Sequence, residues 1–441
     1  MYQNISLKEK IGYGMGDFAT GFGGVTIGSF VLYYYTDVIG VSASIIGGIL
    51  LFSRFFDAIT NVIIGILLDK TQGRYGKAKT WILYSTIPFA IFLILSFVIP
   101  VYWDENIKLI YITIVLNIYF LMYTASNIPY GTLASLITQD SNQRSYLNIF
   151  RMIGYFIVSL LIPIITLPLV KFFGDGQKGW LITITIYALI MTFSFFIMLF
   201  STKERIFVSK NVKNTLKESL SVVILNKYWL IMFGITLLSF SILGLLTGVN
   251  VYYAKVNLDN INMVGTLNML FFLPLITGLA LTSICIKIIG RRKTIFLGMI
   301  LLILGSAFML FDSTNILIIS LGSIVRGIGF APIMGNAYAM LLNTIDYGEW
   351  KTGIRSDGLV YSAGSFSAIL GSGVASGGIG WVLGLSGYQG ASINQPIEVS
   401  YTLEFLFIYA PLLLSVLIII LLIFYNLDKF YNEIIRDLNS R

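Results

Sequence analysis

Twelve apolar windows recur along the chain, near 11–37, 42–68, 81–103, 108–137, 148–172 and 179–201, and again near 229–254, 262–288, 294–312, 315–344, 356–385 and 402–426. Each holds roughly the 20 residues that carry a helix across a bilayer core about 30 Å thick. Lipid offers no partner to a backbone N–H or C=O, so such windows must satisfy their own hydrogen bonds as helices. An all-α membrane protein with twelve transmembrane helices is therefore expected. Charge agrees with this, since 11% of the 441 residues are Asp, Glu, Lys or Arg, against roughly 25% in soluble domains. The chain has no histidine and one cysteine, Cys285. That excludes an intramolecular disulfide, a zinc site built on His or paired Cys, and nucleophiles activated by histidine. The polar start, Met1 to Lys10, lacks the apolar core and small-residue cleavage site of a signal peptide, so none is expected.

Positive charge sets the orientation. Of the 29 Lys and Arg residues, 23 lie in or beside the N-terminus, the even-to-odd loops and the C-terminus; four (Lys108, Lys171, Lys178, Lys255) lie in the alternate loops, and Arg54 and Arg326 fall within spans. Basic loops stay cytoplasmic. Both termini are thus expected in the cytoplasm, and the net charge of +8 needs no nucleic acid as a partner. All six Trp residues fall near span ends, as an interfacial aromatic belt requires. The longest polar stretch separates six spans from six. The expected organisation is a six-helix bundle over 1–201, a cytoplasmic linker over 202–228, a second six-helix bundle over 229–426 and a cytoplasmic tail over 427–441.

The halves echo each other weakly. Asp69-Lys-Thr-Gln-Gly-Arg-Tyr-Gly-Lys-Ala-Lys79 joins spans 2 and 3, and Gly290-Arg-Arg-Lys-Thr294 joins spans 8 and 9. Two bundles with a basic turn after the second helix of each suit a carrier that binds substrate near the midplane and rocks around it. Either turn is equally consistent with an ordinary basic loop. Glycine clusters at Gly12, Gly14 and Gly16, and at Gly371, Gly373, Gly377 and Gly378, suit close helix packing.

An ionisable group at the bilayer centre costs about 2.5–3.5 kcal/mol on insertion scales, so those retained there are candidates for function. Arg54 and Asp57 lie three apart on one helix face, with Asn61 one turn further; a neutralised structural pair and a functional pair are both open. Span 4 carries Asn127, followed by Pro129. Arg144 and Arg151 share a face at the start of span 5, where Arg144 either snorkels to the interface or serves the site. Asp17 has no opposite charge within a turn, nor has Arg151, so an Asp17–Arg151 couple across the first bundle is expected. A guanidinium with five donors beside a carboxylate suits the vicinal diols of a sugar. Arg326 reads as a buried or snorkelling cation in a helix kinked near Pro332, and a weak candidate for meeting an acidic sugar. Asp346, Glu349, Lys351, Arg355 and Asp357 surround the turn between spans 10 and 11, as an inside gate or a solvated face.

Gly12-Tyr-Gly-Met-Gly-Asp17, Tyr34-Tyr-Thr-Asp37, Arg54-Phe-Phe-Asp-Ala58, Asp69-Lys-Thr with Gly73-Arg-Tyr-Gly-Lys77, and Asn127-Ile-Pro-Tyr-Gly131 occur in an order that resembles the glycoside–pentoside–hexuronide cation symporters. Asp346-Tyr-Gly-Glu349 and Arg355-Ser-Asp-Gly-Leu-Val-Tyr-Ser362 resemble that family's second half. The resemblance implies the major facilitator fold, with two six-helix bundles and alternating access. It implies that Asp17 and Arg151 recognise sugar and that Asp57 is a cation-site carboxylate; Asn127 stands at a position that is Asp in some members of the family and Asn in others, and is expected to support the sugar. Departures from the family pattern are Asn61 where a second carboxylate stands, Val62 for the proline after it, and Ile369 for a lysine.

The expectation is therefore a multi-pass carrier of the cell membrane, not an enzyme, that takes up a glycoside, oligosaccharide, pentoside or uronide. It works without cofactor, as a monomer. With Asp57 the remaining ionisable member of the cation site, proton symport or uncoupled facilitation is favoured, with sodium (Na+) coupling third. Arg54, Arg144, Arg326 and Asp357 are expected to gate or stabilise. Rival readings are a lysolipid or other amphiphile carrier of the same fold, and a sugar sensor that has lost turnover.

Overall fold

The structure is a computed structural model that describes residues 5–71, 73, 75–100, 102–138, 140–205, 225–353, 357–390, 392 and 394–440; over 357–363 it describes the backbone alone. The described residues are helical or looped throughout. Eleven helices are long and apolar enough to cross a membrane. The first helix, α1 (Leu7–Tyr33), falls below that mark because Asp17 and seven glycines dilute its apolar residues. Large side chains such as Phe193 and Phe200 on α6 (Gly176–Ser201) are exposed, which water would penalise and lipid does not.

The chain divides into two compact units. The first comprises Met1–Lys210 with Asn262–Asn268 and Gly380–Pro396, and the second Asn211–Ile261, Met269–Ile379 and Ile397–Arg441. In the first, α1 packs on α5 (Ser141–Phe172) and α6, while α4 (Glu105–Ile137) packs on α2 (Ala43–Lys70) and α3 (Lys77–Leu95). The approach of α1 to α5 depends on glycine. A Cβ on Gly154 would lie 2.5 Å from the Gly14 carbonyl oxygen, and one on Gly14 would lie 2.6 Å from that of Phe150.

Segment Thr202–Arg205, the described start of the stretch expected as a linker, ties helix ends together. Glu204 accepts the N–H groups of Lys77, Ala78 and Lys79 at 2.8, 2.9 and 2.8 Å, which supplies the acceptors that the first turn of α3 lacks. Arg205 forks onto Glu9 at 2.7 and 2.8 Å, and the hydrogen bonds from Glu9 push this guanidinium further above its ordinary pKa. Ser6 caps α1 by accepting the Glu9 N–H at 3.3 Å. The remainder of the stretch, 206–224, lies outside the described residues.

In the second unit α7 (Lys227–Val256) is interrupted after Gly248, and α8 (Met263–Ile289, from Met269 on), α9 (Arg291–Phe311), α10 (Ile316–Thr352), α11 (Asp357–Leu385, as far as Ile379) and α12 (Ile397–Lys429) follow. Helix α9 packs on α10 and α12, and α7 packs on both of those as well. Arg292 closes the end of α12, donating to the carbonyls of Leu422 and Ile423 at 2.8 and 2.9 Å and to Asn426 at 2.8 Å. The two basic turns of the sequence repeat thus sit at different tasks: one starts a helix capped by Glu204, the other supplies a cap to α12. A tail helix, α13 (Tyr431–Ser440), docks on α10 through Tyr431 to Asp346 at 2.6 Å and Trp350 to Asp437 at 3.1 Å.

Hydropathy places the spans but misjudges their ends. Helix α10 runs on to Thr352, past the expected end at 344, because Asp346, Glu349 and Lys351 prolong it beyond the apolar window until Gly353, at φ 74°, stops it. Helix α3 ends at Leu95, short of 103, and α12 begins at Ile397, ahead of 402.

Candidate functional site

Two groups of polar side chains lie inside the first unit. Arg54 and Asp57, on successive turns of α2, form an ion pair with Nη1 3.6 Å from Oδ2; the Asp57 side chain is 1% exposed. The other carboxylate oxygen, Oδ1, accepts the Thr124 hydroxyl of α4 at 2.6 Å, a length typical of a hydroxyl on a charged acceptor. Asn61 Nδ2 donates to that same hydroxyl oxygen at 3.4 Å. The Arg54 guanidinium lies over the Phe120 ring, 4.3 Å from its centroid. Asp57 therefore has a cation on one oxygen and a donor on the other, within a pocket of α2 and α4 side chains.

The second group joins α1, α4 and α5. Arg151 donates through Nε to Asp17 Oδ2 at 2.7 Å, with the side chains 27% and 13% exposed. The pair expected from two locally unmatched charges is thus formed across 134 residues of sequence. It is made side-on, so the terminal Nη1 and Nη2 are not spent on Asp17. Thr20 donates to the other oxygen of Asp17 at 3.4 Å. Asn127 donates to the hydroxyl of Tyr123 at 3.5 Å, its one side-chain hydrogen bond among the described residues. A partly open guanidinium edge beside a carboxylate offers donors and acceptors together, as recognition of adjacent hydroxyls requires.

Helix α4 serves both groups. Phe120, Thr124, Asn127 and Tyr130 recur at helical spacing on one face. Phe120 meets Arg54, Thr124 meets Asp57, and the Tyr130 ring lies 4.9 Å from the Arg151 guanidinium. Thr124 escaped the sequence reading because a hydroxyl in an apolar run carries no signal alone; its position one turn before Asn127 was the available one.

The remaining candidates lie elsewhere. Arg144 donates through Nε to the Thr138 carbonyl at 2.8 Å, which closes the α4–α5 turn. Arg326 is 1% exposed in the second unit. There it donates to Ser306 of α9 at 2.8 Å and covers the Phe407 ring of α12 at 5.2 Å. Of the two readings of Arg326, the buried one holds. Asp357 begins α11, but its side chain lies outside those described, as does all of Arg355.

A family described as MFS/sugar transport protein matches residues 12–429. The chain belongs to that family. Among curated relatives, the isoprimeverose transporter of Lactiplantibacillus pentosus is 31% identical over 99% of this chain and 92% of its own. A putative glycoside/cation symporter of Escherichia coli K12 is 30% identical over 96% of this chain and 92% of its own. A glucuronide carrier protein homolog from the same organism is 28% identical over 100% and 97%. Among solved structures, the nucleoside transporter NupG superposes with a TM-score of 0.63 at 14% identity, covering 95% of this chain and 99% of that one. At that identity the likeness speaks for the fold alone. With its apolar helices, family membership makes this protein a multi-pass membrane transporter of the major facilitator fold and not an enzyme. The symporter resemblance of its motifs holds.

Proposed function

We propose that this sugar transporter carries a glycoside, oligosaccharide, pentoside or uronide into the cell by alternating access, with a proton as the coupling ion. The observation that carries the reading is the side-on Arg151–Asp17 pair, which leaves guanidinium donors next to a carboxylate for sugar hydroxyls. Asn127 lies one helix turn from Tyr130 on the same element and supports the sugar. Asp57, with Thr124 and Asn61 around it, carries the proton. Sodium is the weaker candidate, since it prefers several oxygen ligands with anionic charge, and Asp57 is the carboxylate of this group. The excess of basic residues in even-to-odd loops supports cytoplasmic termini. The protein works as a monomer without cofactor.

Counterflow in proteoliposomes tests the sugar reading, because exchange needs no net coupling. Isoprimeverose, melibiose and p-nitrophenyl β-glucuronide form the first panel. Exchange of at least one, lost in Asp17→Asn, is expected; silence of the folded protein across the panel overturns the reading in favour of an amphiphile substrate or a non-transporting sensor. For coupling, an imposed inward proton gradient is expected to drive accumulation in the native protein. In Asp57→Asn accumulation disappears while counterflow remains. Accumulation that survives Asp57→Asn overturns the proton assignment.

A further inference from the structure

The Arg151 guanidinium has a second neighbour whose own placement is unusually constrained. Tyr130 of α4 and Tyr13 of α1 stack with ring centroids 4.8 Å apart. Each hydroxyl donates to the other residue's backbone carbonyl, Tyr130 to Tyr13 at 2.8 Å and Tyr13 to Tyr130 at 3.2 Å. Both side chains are 0% exposed. This reciprocal clasp fixes the Tyr130 ring at its hydroxyl end, at its backbone and across its stacked face. Its seat depends on Gly16, where a Cβ would lie 2.2 Å from Tyr130 Cε2. Gly131, the next residue, abuts the guanidinium: a Cβ there would lie in ordinary contact with Arg151 Nη1, at 3.7 Å.

Arg151 is thereby held from two sides. Asp17 takes its Nε, and the ring of Tyr130 lies 4.9 Å from its Cζ. A single hydrogen bond through Nε leaves the guanidinium plane free to swing about that bond. An aromatic face that attracts the cation removes this freedom and sets where Nη1 and Nη2 point. We propose that Tyr130, locked by Tyr13, is a positioning residue for the sugar-binding guanidinium. It presents the terminal nitrogens of Arg151 to substrate without touching the sugar. The tyrosines in Gly12-Tyr-Gly-Met-Gly-Asp17 and Asn127-Ile-Pro-Tyr-Gly131 then have a shared purpose, because each motif supplies one half of the clasp and the first also supplies Gly16, which makes room for the Tyr130 ring. The proposal rests on the sugar-site reading of Asp17 and Arg151.

The test is counterflow of isoprimeverose, melibiose and p-nitrophenyl β-glucuronide in proteoliposomes, comparing Tyr130→Phe, Tyr130→Leu, Tyr13→Phe and Asp17→Asn with the native protein. A cation on a desolvated aromatic face is worth enough that its loss weakens binding roughly tenfold. Tyr130→Leu is expected to raise the half-saturating sugar concentration by that factor while the maximal exchange rate stays within about twofold. Tyr130→Phe, which keeps the face, restores half-saturation to within about threefold. Equal impairment in Phe and Leu, or an unchanged half-saturation in Leu, overturns the proposal. Should Tyr130→Leu fail to fold, Tyr130→Met, which also removes the aromatic face, decides: a raised half-saturation supports the positioning role and an unchanged one overturns it, while Tyr13→Phe, which like Tyr130→Phe frees one anchor and keeps both rings, stays within about threefold of native. If Asp17→Asn exchanges sugar normally, or the native protein exchanges none, the sugar-site reading falls and takes this proposal with it. Impairment in Asp17→Asn beside a normal Tyr130→Leu removes the positioning role alone.

Discussion

Removing both charges of the Asp17–Arg151 pair separates a binding role from a structural one. Asp17→Asn strands a guanidinium that is 27% exposed, and Arg151→Gln strands a carboxylate that is 13% exposed. Breaking a fully buried pair from one side costs about 3–5 kcal/mol. Partial solvation here lowers that, and about 1.5–3 kcal/mol, the range for a hydrogen bond to a charged group, is the fitting scale. Each single variant is therefore expected to weaken sugar binding or lower stability by a factor of about 10–100. The double variant Asp17→Asn/Arg151→Gln leaves no unpaired charge. If the pair only holds α1 to α5, the double variant regains thermal stability and transports. If the pair binds sugar, stability returns while binding stays absent, because the donors and acceptors for hydroxyls are gone. The assays are the unfolding midpoint in detergent and sugar counterflow, run on all four proteins. Transport by the double variant within about threefold of native would refute the binding role; no non-additivity in stability would refute the pairing itself.

Three further perturbations probe other contacts. Thr124→Val keeps the shape but removes the hydroxyl bonded to Asp57 at 2.6 Å; loss of a bond to a charged group costs about 1.5–3 kcal/mol. The coupling-ion concentration for half-maximal accumulation should shift by a factor of about 10–100 with sugar counterflow intact, and an unshifted value excludes Thr124 from the coupling site. Glu204→Ala strips the three N–H bonds at the start of α3. At about 0.5–2 kcal/mol for a lost cap, deuterium exchange at Lys77 to Lys79 should accelerate by about 2–30-fold; unchanged exchange would show that the first turn does not depend on this carboxylate. Arg326→Met replaces a buried cation whose Nη2 has no hydrogen-bond partner among the described residues. Apolar replacement of poorly compensated buried charge is often stabilising by about 1–4 kcal/mol, so the unfolding midpoint should rise, and a fall would point to a compensating group that Arg326 serves.

What the sequence made legible follows from the range of the interaction. Arg54 and Asp57 could be paired on paper because helix geometry alone places residues three apart on one face. Asp17 and Arg151 could be paired by elimination, since each lacked a local counter-charge and lipid tolerates few such groups. Thr124 and the Tyr13–Tyr130 clasp could not, because tyrosine and threonine are common in apolar helices and nothing in their spacing distinguishes a partner 67 or 117 residues away. Glu204 was equally hidden. It lies just past α6 among basic residues, and only the folded chain brings it to the first turn of α3. Hydropathy located the spans by their apolar middles and missed the polar extension of α10, because a window of hydrophobicity responds to lipid contact and a helix does not end where lipid does.

Helix α4 is the element that contacts both groups of the first unit. It presents Thr124 to Asp57 and Tyr130 to Arg151, six residues and about 9 Å of helix rise apart, with Pro129 between them. Any change of charge on Asp57 alters the attraction for the Thr124 hydroxyl and for Arg54, which itself leans on Phe120 of the same helix. Less than two turns of helix separate Thr124 from Tyr130. Under the proposed function, the ring beside the Arg151 guanidinium and the hydroxyl on the Asp57 carboxylate share one helix, so a displacement of α4 on proton binding would reach the sugar side without contact between the two ligands. Asn127, between them on the same face, makes one long hydrogen bond among the described residues, to Tyr123 at 3.5 Å, and under the proposed function its amide is the group that a sugar hydroxyl would engage.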